Sequence, residues 1–339
     1  MDVRRIRSLG ATLACLACAV ACGAEQTPTR PSDVPPSPAS GRYATGLTDD
    51  VLVVGATRRF RVYVPASVDV RPPTAVVLVL HGGGGEGLDV SLPGEHPLSV
   101  FRLVADREGF VVVYPEGMSA LDGRLGWVDC RADNRMASSA DDIGFLAALV
   151  DHLRTRLSVP ASRVFLAGGS NGGQMVLAFA AHAADRVAAI AVAGANDAES
   201  PLPGPCTTGP ARPVPALLVH GTNDPVMPFA GGCVANLGGG CARGRVVSAE
   251  ATRQGWIARN GLSSEASLVE RVDLDVTDAG PAERVVHRGA APVEWWRLAG
   301  AGHVVPSRLV LRPPSAATGT QNRDIEFAEV AWAFFADRR

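Results

Sequence analysis

The sequence predicts an α/β fold: a mostly parallel central sheet with helices on both faces. Three observations carry that prediction. Short, continuously apolar runs alternate along the chain with segments of helical spacing, and several of the runs end in glycine-rich loops. With 339 residues, 47% hydrophobic and only 19% charged, the chain can bury one large core and does not have the composition of a disordered protein. Its 34 acidic and 32 basic residues leave a formal charge of −2, with no long basic block beyond the amino terminus, so no nucleic-acid partner is expected.

The elements follow in chain order. The amino terminus has the tripartite composition of a secretory signal: "MDVRRIR" with three arginines, the apolar "SLGATLACLACAVA", then the polar, proline-rich "CGAEQTPTRPSDVPPSPAS". An anchoring membrane helix is the competing interpretation, but the apolar run is shorter than the roughly 20 residues needed to span a bilayer. "AVAC" is similar to a bacterial lipoprotein cleavage box ending at Cys22, with Ala19 where that pattern prefers leucine; ordinary signal cleavage nearby stays open. The expected organisation is a signal over 1–22, a proline-rich tether over 23–40 and one folded α/β domain over 41–339. The expected location is extracytoplasmic, with contact to the membrane only through a lipid on Cys22.

Within that domain, "DVLVVG" and "RRFRVYVP" read as an amino-terminal hairpin, and "TAVVLVLHG" and "GFVVVYPEG" as buried strands running into loops. "DDIGFLAALVDHLRTRL" has helical spacing and an acidic first turn. The strand "SRVFLAG", the helix after Ser170, and the strands "VAAIAVAG" and "VPALLVHG" come next. A helix around "SAEATRQGWIARNG", the strand "PVEWWRLAG" and a closing helix "RDIEFAEVAWAFFA" complete the pattern.

In sheets of this kind function collects at the carboxyl ends of the strands. One such end reads "GGSNG", residues 168–172, which fits the G-x-S-x-G turn that holds a serine hydroxyl exposed between a strand and a helix. Four glycines at one junction are otherwise costly, and here Gly168 and Gly172 make room for tight strand-to-helix packing. A plain glycine-rich turn or a phosphate loop competes, although no G-K-[ST] ending supports the phosphate loop. A second end, "LVLHGGGGEG", is an HGGG-type loop. In that plan it lends a backbone N–H to an oxyanion hole, from Gly83 or, next, Gly84, and Asn171 after the serine lends the other.

Two further strand ends supply an acid and a base. "LLVHGTNDPVMP" carries Asp224 and "RLAGAGHVVP" carries His303, in the chain order serine, acid, histidine. Asp224 could be a simple Asx-turn cap, Asp197 in "GAND" is a rival acid, and His303 could be an ordinary loop histidine. His152 and His182 fall in helices, His220 precedes the acid turn, and His96 and His287 lack a strand-end context. Trp127 in "GWVDC" is the candidate ring platform for substrate, whereas the alternation in "PVEWWRL" sends at least one of Trp295 and Trp296 into the core.

Of seven cysteines, Cys15 and Cys18 leave with the signal and Cys22 takes the lipid, so Cys130, Cys206, Cys233 and Cys241 remain. "GGCVANLGGGCARG" lets the chain fold back, which favours a Cys233–Cys241 bridge, and Cys130 with Cys206 follows by elimination. Zinc binding has neither the C-x-x-C spacing nor a nearby histidine, so no metal site is expected.

The segments "RRFRVYVP", "LVLHGGGGEG", "VVVYPEG", "DDIGFLAALVD", "LAGGSNGGQM", "LVHGTNDPVMPF" and "GAGHVVP" together resemble the polyhydroxybutyrate depolymerase, feruloyl and acetylxylan esterase family. That resemblance covers the chain from about Arg58 onward and implies an α/β-hydrolase fold, with Ser170 as nucleophile, Asp224 as orienting acid, His303 as base, and the Gly83 and Asn171 amides as oxyanion hole. It implies no cofactor, a monomer, and an ester substrate, polymeric in some relatives. Acyl transfer or peptidase chemistry on the same three groups, and a catalytically silent surface-binding module, are the competing functions. The chain departs from many relatives at Val304 and Val305, where they have a tryptophan, and at Leu262, where they have a cysteine.

Overall fold

A computed structural model describes residues 43–68, 72–135, 137–202, 212–234 and 240–338. The expected leader and tether, with Cys22, lie outside the described residues. In chain order the strands and α-helices are β1 (Gly46–Val54), β2 (Ala56–Val64), β3 (Val76–Leu80), α1 (Gly87–Ser91), α2 (Val100–Glu108), β4 (Val111–Pro115), β5 (Met118–Ser119) and β6 (Leu125–Gly126). They continue with α3 (Asp142–Leu157), β7 (Val164–Gly169), α4 (Asn171–His182), β8 (Ala189–Ala193), β9 (Ala216–Gly221), β10 (Gly232–Cys233), β11 (Arg245–Val246) and α5 (Ala249–Arg259). The last four are β12 (Leu268–Val272), β13 (Ala282–His287), β14 (Val293–Leu298) and α6 (Phe327–Ala336).

Ten strands form one sheet in the order β1-β2-β4-β3-β7-β8-β9-β14-β13-β12. The six from β4 to β14 run parallel, and antiparallel pairs extend the sheet at both edges. Strands β3, β4, β7, β8 and β9 are buried along their whole length, which is why they read as continuous apolar runs. Alternate residues feed two cores. Leu78 and Leu80 join α3 and α4 on one face, while Val77 and Val79 join α2 and α6 on the other. The same alternation sends Trp295 to the first core and Trp296 to the second, so both are buried.

The expected amino-terminal hairpin is present as β1 and β2, turning at Gly55 with φ +69. Several features exceed the sequence-based expectation: helices α1 and α2 between β3 and β4, the two-residue pairs β5–β6 and β10–β11, and the β12–β13 hairpin before β14. The closing helix starts at Phe327, four residues later than the pattern suggested at Arg323. Asp324 and Glu326 instead turn their carboxylates onto backbone amides of the preceding loops, at 2.6 Å to Leu274 N and 3.0 Å to Arg308 N.

One buried ion pair bears on the site. Arg58 on β2 donates to Asp142 Oδ1 at 2.6 Å and lies 4.0 Å over the Phe145 ring, and Asp142 Oδ2 accepts the Val128 amide at 2.7 Å. With both side chains almost wholly buried, removing one would strand a charge at a cost of about 3–5 kcal/mol. The pair thereby fixes the 127–131 loop against β2 and α3.

Candidate active site

Ser170 stands between β7 and α4 with φ 55 and ψ −128, one of three described non-glycine residues at positive φ. A side chain held there costs on the order of 1–3 kcal/mol, so the surroundings must enforce it. They do so sterically. A β-carbon on Gly168 would come within 2.7 Å of the Gly172 backbone, and one on Gly172 would collide with the Leu80 and His81 carbonyls. Backbone bonds complete the turn: Ser170 N donates to Ala193 O and Gln174 N to Ser170 O, both at 2.9 Å.

Around this serine the structure brings together the expected base and acid. His303 Nε2 lies 2.7 Å from Ser170 Oγ, and His303 Nδ1 lies 2.7 Å from Asp224 Oδ2. The carboxylate can only accept, so Nδ1 carries the proton and Nε2 is left as acceptor for the serine hydroxyl. Gly194, at φ +59, lets the chain pass where a β-carbon would sit 3.3 Å from His303 Nδ1. Asp224 also caps a turn: its Oδ1 accepts the amides of Val226 at 2.8 Å and Met227 at 2.7 Å. Asp224 thus caps the turn through one oxygen and faces His303 through the other. His220 approaches Asp224 Oδ2 at 3.6 Å but donates Nε2–H to Met227 O at 2.9 Å, and burial holds its pKa down, so it faces the acid as a neutral ring.

Asp197, the rival acid, is elsewhere. Its backbone N–H donates to Thr252 Oγ1 on α5 at 3.0 Å, and burial pushes its carboxyl pKa up to about 6.

The HGGG-type loop is set by His81, which is fully buried. Gly117 N donates to its Nε2 at 3.0 Å, so Nδ1 carries the proton and donates to Gly82 O at 2.7 Å; burial, the leading cause, lowers its pKa to about 4 and keeps it neutral. Of the two amides considered in this loop, Gly84 N is engaged with Leu125 O at 2.7 Å. Gly83 N has no protein acceptor among the described residues, and neither has Asn171 N at the start of α4. The two residues are neighbours, since a β-carbon on Gly83 would lie 3.6 Å from the Asn171 β-carbon. Two free N–H groups beside a serine, one at a helix amino terminus, suit a developing oxyanion.

The Asn171 side chain has a second duty that the sequence did not announce. Its Oδ1 accepts Trp127 N at 2.7 Å, and its Nδ2 donates to Trp127 O at 3.1 Å and to Asp129 Oδ2, which is buried against Arg131 at 2.7 Å. Trp127 corrects an expectation. It lies in the cavity wall but is only 2% exposed, with Nε1 donating to His81 O at 2.9 Å, so it braces the loop and leaves almost no ring face for a substrate. Trp295 and Trp296 do not line the cavity at all.

Above Ser170 is a cavity of about 730 Å³, with Leu98, Leu125, Met227, Val234 and Val305 among its apolar walls. Val304 and Val305, which follow His303, are part of that wall. Val234 and Arg243 come from the β10–β11 hairpin, which the Cys233–Cys241 disulfide closes with a Cα–Cα distance of 4.9 Å. Cys130 is also disulfide-bonded; Cys206, its expected partner, lies outside the described residues. No group of three or more potential metal ligands occurs among the described residues.

A family model described as Phospholipase/Carboxylesterase matches residues 67–236, half of the chain. NocK, a protein of Nocardia uniformis subsp. tsuyamanensis whose name proposes an esterase, is 32% identical over 231 residues, 62% of this chain and 62% of that protein. An acetylxylan esterase of Coprinopsis cinerea is 30% identical over 155 residues, 44% of this chain and 39% of the relative. This chain thus spans less than two thirds of the length of the curated relatives it matches. Among solved structures, the acetyl xylan esterase of Aspergillus awamori superposes with a TM-score of 0.55 at 16% identity, covering 77% of this chain and 95% of that one, a likeness of fold.

Proposed function

This chain belongs to the phospholipase/carboxylesterase family, and we propose that it is an extracytoplasmic serine hydrolase of carboxylic esters. The observation that carries the proposal is the pair of 2.7 Å contacts running Ser170, His303, Asp224 beside two amides with no acceptor among the described residues. Ser170 Oγ attacks the ester carbonyl carbon as its proton passes to His303 Nε2. The Asp224 carboxylate stabilises the imidazolium that results. The carbonyl oxygen, now an oxyanion, accepts from Gly83 N–H and Asn171 N–H; one such donor is worth about 10²–10³ in kcat. His303 returns the proton to the leaving alcohol oxygen, leaving an acyl group on Ser170. Water, deprotonated by His303, then attacks the acyl carbon, and the acid leaves as the serine proton is restored.

The proposed substrates are acetyl or feruloyl esters of polysaccharides, or polyhydroxyalkanoate oligomers. The named acetylxylan relatives and a cavity wide enough for more than an acetyl group support that range. The disulfides at Cys233–Cys241 and Cys130 support an oxidising compartment, which fits a signal over 1–22 and a lipid on Cys22. An ester panel of nitrophenyl acetate, acetylated xylan, methyl ferulate and hydroxybutyrate oligomers tests the proposal, run beside Ser170→Ala. The wild type should hydrolyse at least one ester, with kcat lowered by about 10⁶ in the variant. Equal rates in the two proteins would remove Ser170 from the chemistry.

A further inference from the structure

The cavity over Ser170 is lined by four arginines, Arg124, Arg131, Arg243 and Arg312, and by no aspartate or glutamate among the described residues. Two of these charges are met locally: Arg131 is buried against Asp129 at 2.7 Å, and Arg243 pairs with Asp122. Arg124 and Arg312 are different. Both are exposed, and neither guanidinium has a hydrogen-bond or carboxylate partner among the described residues. The acid closest to Arg124 in sequence, Asp122, is already committed, with Oδ1 accepting the Arg124 backbone amide at 3.2 Å and Oδ2 taken by Arg243.

The two arginines come from different loops, Arg124 just before β6 and Arg312 between β14 and α6. The Arg124 stem crosses Gly84, its Cδ 3.5 Å from where a β-carbon there would be, so it borders the loop that offers Gly83 N–H. Arg312 sits six residues before Thr318, whose carbonyl accepts His303 N at 2.5 Å, and so belongs to the loop that carries the base. Its field is felt inside: burial first, and then the Arg312 charge, lower the pKa of the cavity residue His96 to about 4. A cavity with unbalanced positive charge at its rim concentrates and orients anions. A guanidinium presents a fork that matches a carboxylate.

We propose that Arg124 and Arg312 select esters that carry an ionised carboxylate remote from the scissile bond, such as half-esters of dicarboxylic acids or sugar acids O-acylated on a hydroxyl with the carboxylate free. This deepens the hydrolase proposal above and rests on it for the reaction, though not for the binding.

Two matched pairs of ligands separate the claims. For turnover, the nitrophenyl ester of glutaric acid with its far carboxylate free is compared with the same ester capped as a methyl ester. The wild type should favour the anionic form in kcat/KM by about tenfold at low ionic strength, a modest factor because both guanidiniums are exposed, and the preference should fall toward one in about 1 M salt. In the double variant R124Q/R312Q the anionic-to-neutral ratio should collapse to about one. For binding without turnover, Ser170→Ala is titrated calorimetrically with monomethyl and dimethyl glutarate, and the monomethyl form should bind about tenfold more tightly. A wild-type ratio at or below one, or a ratio that survives R124Q/R312Q, overturns the selection. If neither ester is hydrolysed while the binding preference holds, the hydrolase proposal fails and the anion selection stands.

Discussion

Replacing Asp224 by asparagine changes one atom at the acid of the network, and the geometry dictates which way the new amide must turn. Asp224 Oδ1 accepts two backbone amides, from Val226 and Met227, while Oδ2 accepts from His303 Nδ1 at 2.7 Å. An asparagine placing its NH₂ toward the two amides would set donor against donor and orphan both, at about 1–3 kcal/mol each. It will therefore keep its oxygen on the turn and point NH₂ at His303. That forces Nδ1 to accept and moves the ring proton to Nε2, facing Ser170 Oγ, so the histidine can no longer take the serine proton. The same tautomer error in a serine protease triad lowers kcat by about 10⁴, equivalent to about 5.5 kcal/mol of barrier. Because the turn keeps its acceptor, the melting temperature should shift by only a few degrees. The assay is kcat on nitrophenyl acetate for Asp224→Asn beside Asp197→Asn, the latter predicted to stay within about tenfold of wild type because Asp197 faces α5. If Asp224→Asn retained more than a tenth of the wild-type rate, or if Asp197→Asn were the variant that collapsed, the assignment of the acid would be refuted.

Three further outcomes follow from other parts of the molecule. Gly172→Ala, which helix propensity alone would favour, should destabilise by about 3 kcal/mol in denaturant unfolding, because its β-carbon meets the Leu80 and His81 carbonyls; a stabilised variant would contradict the packing of the elbow. Removing the Cys233–Cys241 bridge with a double serine variant should cost about 2.5 kcal/mol by loop-closure entropy and raise KM more than it lowers kcat, since the loop supplies Val234 and Arg243 to the cavity. His81 has a pKa lowered to about 4 in the fold from 6.5, so the unfolded chain binds a proton first as pH falls, and stability present above about 6.5 is lost toward 4. Between pH 7 and 5 this amounts to about 2 kcal/mol, and His81→Asn should lose that much less over the same interval; Asp197, raised to about 6, acts in the opposite sense in both proteins.

The strands that carry the site were legible because burial on both faces makes them apolar throughout, as in β3 and β7, and because each ends in residues whose only economical explanation is a special turn. Ser170, His303 and Asp224 could be placed at strand ends for the same reason. What escaped notice lacks periodicity. Strand β12 is mostly exposed, so no apolar alternation marks it, and β5 and β6 are two residues each, too short for any period. The role of His81 was hidden because a histidine after a strand looks the same whether it reaches solvent or holds Gly82 and Gly117. Trp127 is ambiguous in sequence for a related reason: an aromatic residue beside a candidate site reads the same whether its ring faces the site or supports it, and the hydrogen bond to His81 O and the near-complete burial distinguish the two. The double duty of Asn171 depends on the 127–129 loop returning to the nucleophile helix, a contact between residues more than forty positions apart.

The central claim is that Ser170 is the activated nucleophile, held by His303 at 2.7 Å and served by two amides that have no acceptor among the described residues. Its most direct test is stoichiometric labelling of the folded protein by a fluorophosphonate, with the modified peptide mapped by mass spectrometry. One label per chain on the peptide containing Ser170, lost in Ser170→Ala and slowed by orders of magnitude in His303→Ala, is the predicted result. A folded protein that takes no label, or takes it at a different serine, would contradict the account.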